Sequence, residues 1–463
     1  MLPISHINII MEKTSYDLII IGAGPGGYEA AKIAADRGLS TALISKTKIG
    51  GRATFGSLLP SKIWLHAADH IRQLKAASKH LIKLDQFNLD LEGLKQSITD
   101  KSSRYSNQLT ENLKQINVAI FNGTGILKDK HTVLLKREGE EDRTLEATNI
   151  IIASGSNPRF TPDIKPNKDR ILAPKLAPLL PKIPDTMLII GGGVTGMEYA
   201  YAFAELGTKI TVLHNKRHIL SAMDSEVADY LEKIFQDKYD MAFNKGIKVK
   251  KVVQEGHKVL ATLESGEVFS ADYAFIAIGR VPDRSFYDEA SLEMNWLDNG
   301  ALKVNSYGHT GMGNIHAVGD ITGIPMMANK AILQAKIAVR HILKDVDYPE
   351  RYHFISATYC YPPMAQIEST KKDGHCDIIT KPYSKLLRAQ INGETEGILK
   401  LKVDPDTDLI KGVCGLGPNI HEILAIVQIA MEHNIPYDEL ITTHFANPSF
   451  TELVSMEIPE IKE

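Results

Sequence analysis

Two stretches of this chain carry the same pattern of apolar and small residues. A short apolar run from Asp17 to Ile21 breaks into Gly22-Ala-Gly24-Pro-Gly26-Gly27 and continues through Glu29, Ala30, Ala31, Ile33 and Ala34, which are spaced as one tightly packed helix. Near the middle, Met187 to Ile190 leads into Gly191-Gly-Gly193-Val-Thr-Gly196 and a helical run through Glu198, Tyr199 and Ala202. Each reads as strand, glycine turn, helix. The first glycine permits the tight turn, the second lets the backbone approach a pyrophosphate, and the third lets the helix lie close to the strand, with the helix N-terminus facing the anion. The repeat is far more specific than either unit alone. It implies two dinucleotides, one held as a prosthetic group and one exchanging as a substrate.

The remaining pattern fills in around these units. Thr41 to Ile44 and Ile210 to Leu213 read as the second strands of the two repeats. A helix is expected from Pro60, with the proline in its first turn. A second, amphipathic helix is expected from Leu91 to Ile116, with Leu94, Ile98, Tyr105, Leu109 and Leu113 on one buried stripe. Val118 to Thr148 alternates as short strands around turns at Asn122-Gly123 and Arg137 to Asp142, and closes in the apolar run that ends Ala153-Ser154-Gly155. Tyr273 to Ile278 and Asn314 to Val318 are apolar strands that end in Gly279-Arg280 and Gly319-Asp320. After about Asp345 the pattern changes to strands and turns, with an antiparallel meander from Gly397 to Gly417 and an apolar helix from His421 to Met431.

A length of 463 residues suggests about three domains. The net charge of -3 gives no case for a nucleic-acid or membrane-surface partner. No apolar run approaches the roughly 18 residues of a membrane span, and Met1 to Thr14 lacks the features of a signal peptide. The expectation is a cytoplasmic protein with a short leader over 1–15, in which Met11 is an alternative start. Cys360, Cys376 and Cys414 form no CxxC or metal-like pair, so they are expected to be free thiols. His66 and His70 share a helix face with no third ligand in view, so no metal is expected.

Two positions qualify the dinucleotide reading. The residue expected to bind the first ribose, normally acidic, is Ser45, and 45 − 22 places it 23 residues after the first glycine. A hydroxyl offers a single neutral contact where a carboxylate offers a charge-assisted pair. The second strand of the second unit ends in His214, followed by Lys216 and Arg217. Basic groups at this place favour a 2′-phosphate, so NADP(H) is expected to be accepted, alone or alongside NAD(H); the alternative is a solvated basic turn.

The stretch Gly50 to Lys62, GGRATFGSLLPSK, resembles the redox segment of the flavoprotein disulfide reductases, whose pattern reads GGTCxNxGCxPSK. Gly50, Gly51, Pro60, Ser61 and Lys62 match, while Ala53 and Leu58 stand where the redox cysteines belong. From Tyr16 to the C-terminus the chain resembles the class I pyridine nucleotide-disulfide oxidoreductases. The resemblance implies an α/β fold with two Rossmann-like dinucleotide-binding domains and a C-terminal α+β dimerisation domain. Residues 16–156 and 280–345 would bind FAD, 157–279 would bind NAD or NADP, and 346–463 would form the interface of a homodimer. For FAD it implies contacts at Gly22, Gly24, Gly27, Ser45, Gly50, Gly51, Lys62, Gly125, Ser154, Gly155, Asp320, Met327 and Ala328. For the nicotinamide nucleotide it implies Gly191, Gly193, Gly196, Glu198, His214, Lys216, Arg217 and Gly279. Lys62 and Glu198 would form the pair near the reactive nitrogen of the flavin.

Other departures fall at the same chemistry. Asn329 and Gln334 replace a histidine and a glutamate of the family pattern, and Asn447, in Asn447-Pro448-Ser-Phe-Thr-Glu452, replaces its general-base histidine. Dithiol exchange needs a thiolate and a base, and Ala53, Leu58 and Asn447 supply neither. Hydride transfer needs positioning and electrostatic support instead of cysteines. In these departures the chain resembles the soluble pyridine nucleotide transhydrogenases, although Ser45 differs from them. The leading expectation is an FAD-dependent NAD(P)H oxidoreductase delivering hydride to a second nicotinamide or to a small quinone-type acceptor. The alternatives are a catalytically silent nucleotide-binding sensor or scaffold, and a disulfide reductase using Cys360, Cys376 or Cys414.

Overall fold

A computed structural model describes residues 13–77, 82–83, 87–288, 292–345, 353–371 and 375–457. Most of the expected leader, with Met11, lies outside the described residues. The chain divides into two compact units: residues 1–53, 104–157 and 281–348 form the first, and 54–103, 158–280 and 349–463 the second. Among the described residues no helix is long and apolar enough to cross a membrane.

In the first unit the strands Ala119–Asn122, Thr41–Ser45, Ser15–Ile21 and Arg143–Ile152 lie side by side and parallel, and Ile315–Ala317 pairs with the last of them. Thr132–Lys136 and Thr124–Leu127 continue the sheet antiparallel. Parallel strands covered on both faces need unbroken apolar runs. Leu18, Ile19, Ile20 and Ile21 meet that requirement, all nearly or fully buried. Each such side chain contributes about 1.5–3 kcal/mol relative to exposure. The helix Pro25–Asp36 presents Ala30, Ala31 and Ala34 to the same core as Ala335, Ala338 and Val339 of the helix Ala328–Ile342.

The second unit repeats the scheme. Ala242–Lys245, Lys209–His214, Thr186–Ile190, Tyr273–Ile276 and Ile171–Leu172 form a parallel sheet in that order. A small antiparallel sheet of Val249–Glu255, Lys258–Leu263 and Val268–Ala271 belongs to this unit, as does the C-terminal antiparallel sheet. The latter runs Ser356–Thr358, Met364–Ile367, Ile410–Leu416, Ile398–Val403, Asp377–Pro382, and shares a core with the helix Ile420–Glu432.

Two expectations change in detail. Tyr105 is 48% exposed, and the buried stripe of the helix Leu91–Gln115 runs through Ser102 and Ser106 instead. Both hydroxyls are satisfied, Ser102 donating to the Thr54 carbonyl (2.9 Å) in the second unit and Ser106 to the Ile49 carbonyl (2.6 Å) in the first. A serine whose hydrogen bond is met can sit where periodicity asks for an apolar residue. Residues 54–103, expected with the FAD-binding segments, are grouped with the second unit. The helix Leu58–Ala76 explains this, because its fully buried Trp64 packs on Phe203 at 5.4 Å between ring centroids.

Candidate functional site

The two glycine turns have nearly the same geometry. Gly22 and Gly191 adopt φ +110° and +113°, and a Cβ on either would stand 2.3 Å from the carbonyl oxygen of Ala153 or Ala277. A Cβ on Gly27 would meet the Gly22 oxygen at 1.8 Å, and one on Gly196 the Gly191 oxygen at 1.9 Å. These four glycines are required by the fold itself. Gly24 and Gly193 are different, since a Cβ there would find nothing within 4 Å. Each is the N-cap of a helix with no side-chain cap and no acidic residue in its first turn. The protein thus leaves open space and unclaimed amide donors at the two places where a dinucleotide pyrophosphate would lie, which is the fit expected for FAD in one unit and a nicotinamide nucleotide in the other.

Other expected FAD contacts are gathered around the first turn. The Gly50 amide donates to the Ala23 carbonyl at 2.8 Å, and a Cβ on Gly51 would approach the Gly24 Cα at 3.1 Å. Ser45 ends its strand buried, and its hydroxyl accepts a long 3.4 Å hydrogen bond from the Thr47 amide. Gly125 is explained by packing, because a Cβ would press on Ile21 and Ile44 at 3.3 Å. The Ser154 hydroxyl donates to the Asp283 carbonyl at 2.7 Å, and the Asp283 amide donates to the carbonyl of Gly155, a residue at φ +78°. Ser154 therefore positions the loop, with its proton already committed. Asp320 accepts a hydrogen bond from Ser156. Gln334 does the anchoring available to a carboxylate here, its Oε1 accepting from the Gly319 amide at 2.8 Å. Met327 caps the helix beginning at Ala328, again without a side-chain cap.

Sequence reading missed two groups in this unit. Asp283 is buried and holds Lys46 at 3.1 Å. Lys330 is buried with its ammonium donating to the Gly323 carbonyl at 2.7 Å, and burial brings its pKa down to about 8.

In the second unit the expected role of His214 is corrected. Its ring is buried; Nδ1 accepts from the Gly192 amide at 3.1 Å and Nε2 donates to the His218 carbonyl at 3.1 Å. Burial lowers its pKa, so the imidazole is neutral and both nitrogens are used. It is a brace for the turn, and it also explains Gly192, where a Cβ would stand 2.9 Å from the imidazole Cγ. Positive charge at the end of this strand is left to the exposed Lys216 and Arg217, neither of which has an ion-pair partner among the described residues. Gly279 takes φ +108° after the strand Tyr273–Ile276, and its carbonyl accepts from the Arg159 amide at 2.9 Å.

Lys62 and Glu198 meet as expected. Lys62 Nζ lies 2.7 Å from Glu198 Oε1, with side-chain exposures of 28% and 5%. The helix Val194–Glu205 that starts at the second glycine turn carries the carboxylate, and the Tyr359 amide donates to the same oxygen at 3.0 Å. The lysine ammonium also sits 4.2 Å from the centroid of the Tyr359 ring, which is 45% exposed. Tyr359 was not foreseen. Leu58, at a redox-cysteine position, is 43% exposed.

The three cysteines lie outside the redox segment. All three are buried. Burial pushes the Cys360 thiol up to about 12 and raises Cys414 well above its ordinary value, so neither is a nucleophile near neutrality. Asn447 donates to Glu452, which also accepts from the Ser449 amide at 2.7 Å. The pairing frame is kept there, with an amide that takes up no proton. His66 and His70 touch through their Nε2 atoms at 3.0 Å on the surface, and no third ligand joins them among the described residues.

Comparison with known proteins agrees with this geometry. Residues 16–335 match the family described as pyridine nucleotide-disulphide oxidoreductase, and residues 356–458 match the dimerisation domain of that family. The chain is 29% identical over 460 residues to a dihydrolipoyl dehydrogenase of Buchnera aphidicola, covering 97% of this chain and 96% of that one. It is also 29% identical over 457 residues to the dihydrolipoyl dehydrogenase of Geobacillus stearothermophilus, with 96% of each covered. Among solved structures, LpdA from Mycobacterium tuberculosis superposes with a TM-score of 0.88 at 26% identity, covering 96% of this chain and 98% of that one. The flavoprotein disulfide reductase RclA from Escherichia coli shares the fold, with a TM-score of 0.84 at 24% identity over 95% of this chain and 98% of that one. With a family match spanning well over half of its length, and a dimerisation domain behind it, the chain belongs to the pyridine nucleotide-disulphide oxidoreductases, FAD-dependent enzymes that work with nicotinamide nucleotides.

Proposed function

We propose that this protein is an FAD-dependent NAD(P)H oxidoreductase that carries hydride from a nicotinamide nucleotide to a second nicotinamide or to a small quinone-type acceptor, with no redox-active disulfide. In this reading the first glycine turn, with residues 16–156 and 280–345, serves FAD, and the second, with 157–279, serves the exchanging nucleotide. Residues 346–463 form the homodimer interface, and the protein works in the cytoplasm. FAD, when bound there, would supply the two-electron chemistry that links the two substrates.

The observation that carries the reading is what has been kept beside what has been lost. The Lys62–Glu198 pair is intact at 2.7 Å on the helix of the second turn. Ala53 and Leu58 supply no thiol, the three cysteines are buried, and Asn447 supplies no base. Glu198 holds the lysine ammonium in place, and the ammonium supplies a fixed positive charge without a proton transfer. Lys216 and Arg217 support acceptance of a 2′-phosphate.

Steady-state turnover of the flavin-loaded protein with NADPH or NADH separates the readings. The proposal expects reduction of a nicotinamide analogue or a soluble quinone and none of lipoamide or glutathione disulfide. Lipoamide reduction that is lost on serine replacement of all three cysteines would overturn the mechanism in favour of a disulfide reductase. Tight nucleotide binding with no reduction of any acceptor would favour the silent sensor.

A further inference from the structure

Beside the Lys62–Glu198 pair stands a histidine that the proposed chemistry has not used. The ring of His421, in the first turn of the helix Ile420–Glu432, lies 4.3 Å from the Tyr359 ring, centroid to centroid, and Tyr359 in turn covers Lys62. His421 Nε2 is closed off from solvent and has no hydrogen-bond partner among the described residues. The imidazole does bond to the Thr358 backbone, in a sense that favours its protonated form. Since Nε2 is unpartnered, that bond is Nδ1–H donating to the Thr358 carbonyl. In the neutral ring Nε2 is then a bare acceptor. Burial, the largest influence, lowers the pKa of this ring, outweighing the nearby Glu422 carboxylate. Neutral imidazole is therefore the form to consider at physiological pH.

An unmet buried acceptor is costly, and a protein keeps one where a ligand supplies the donor. The Tyr359 ring packs against this imidazole. Its ring is 45% exposed, and its hydroxyl has no hydrogen-bond partner among the described residues, so only ring contacts hold it in place. The backbone of the same residue is fixed by its bond to Glu198, so the ring can turn aside while the Lys62–Glu198 pair stays assembled.

We propose that His421 Nε2 accepts a hydrogen bond from the carboxamide N–H of the nicotinamide ring, and that Tyr359 covers this acceptor until the nucleotide enters. This rests on the reading of the second unit as a nicotinamide site. It assigns to His421 a substrate-orienting role, selecting the face and rotation of the ring through the one substituent that carries a donor.

The test uses a pair of nucleotides that differ at that donor. 3-Acetylpyridine adenine dinucleotide replaces the carboxamide NH₂ with a methyl group of similar size. Dissociation constants for it and for NAD are measured by calorimetry on the flavin-loaded dimer, with the phosphorylated pair used if NADP is preferred. Wild type is expected to favour the carboxamide by about tenfold or more, the penalty of one unmet buried acceptor. His421→Leu is expected to reduce that preference to within about twofold, and His421→Gln, which returns an oxygen acceptor near the same place, to restore most of it. A preference unchanged in His421→Leu would mean that water satisfies the nitrogen, and would overturn the proposal. If His421→Leu does not fold, a His421→Gln protein with no carboxamide preference overturns it equally. Failure of wild type to bind any nicotinamide nucleotide would sink the underlying nicotinamide reading as well, whereas normal binding without a His421-dependent preference would sink this inference alone.

Discussion

Replacing Lys62 with methionine removes the charge that faces Glu198 while keeping most of the apolar stem. The Glu198 side chain is 5% exposed, and without the lysine its carboxylate retains, among the described residues, only the 3.0 Å hydrogen bond from the Tyr359 amide. Breaking a buried ion pair from one side costs about 3–5 kcal/mol, because the remaining charge is left without compensation. Lys62 is 28% exposed, so part of its charge is already screened by solvent, which puts the expectation at the low end, about 3 kcal/mol. Glu198→Gln should be milder, about 1–2 kcal/mol, since the amide oxygen still accepts from Tyr359 and the freed ammonium can hydrate. The double variant buries no unpaired charge, so a double-mutant cycle should return a coupling of about 2 kcal/mol. Urea unfolding of the flavin-loaded protein measures the stabilities, and stopped-flow reduction by NADPH reports the functional side, expected to slow in both single variants. Single effects that add to within about 0.5 kcal/mol would refute a direct interaction between the two side chains.

Three further outcomes follow from the geometry. Gly24→Ala should fold normally, since its Cβ meets nothing within 4 Å, yet purify with little flavin; Gly27→Ala, whose Cβ would stand 1.8 Å from the Gly22 oxygen, should lose soluble protein altogether, and the flavin-to-protein absorbance ratio and yield distinguish them. Asp224 caps the helix Ser225–Tyr239 through the amides of Glu226 (3.0 Å) and Val227 (3.1 Å) and meets the buried Lys400 at 3.0 Å. Burial pushes its carboxyl upward, but the bonds from Thr370 and Lys400 outweigh this and hold it below its ordinary 3.8. A depressed carboxyl gives stability that is present above the unfolded value and is lost as pH falls through the folded one. Asp224→Asn keeps a good cap and leaves Lys400 its second partner, Glu226 at 2.6 Å, so it should cost about 2 kcal/mol at neutral pH and flatten the acid limb of the stability curve below about pH 4. Charge reversal at Lys216 and Arg217 should raise the KM for NADPH at least about tenfold with little change for NADH; equal effects on both would remove the 2′-phosphate reading.

What could be read from the sequence was what the backbone imposes locally. Gly22, Gly27, Gly191 and Gly196 announce the two turns because no side chain fits at those positions, and the unbroken apolar strands beside them follow from a sheet covered on both faces. Lys62 and Glu198 were found only through a family resemblance, since 136 residues separate them and no local signal joins them. His214 was misjudged because a histidine after a strand looks like a cation until its burial and its bonds to Gly192 and His218 are seen. Tyr359 and His421 were invisible for a related reason. The fold brings Tyr359 to Glu198 across 161 residues, and the unmet nitrogen of His421 exists only in three dimensions. Tyr105 shows the converse failure, in which helical period predicted burial and two satisfied serines took the place.

The central claim is that hydride transfer survives without the dithiol. Anaerobic titration of the visible spectrum of the flavin-loaded protein tests it directly. The account predicts bleaching with NADPH or NADH at one equivalent per flavin, with no long-wavelength thiolate-to-flavin band, and recovery of the oxidised spectrum on adding a second oxidised nicotinamide or a quinone. A spectrum unmoved by either reduced nucleotide, or bleaching that consumes two equivalents per flavin, would contradict it.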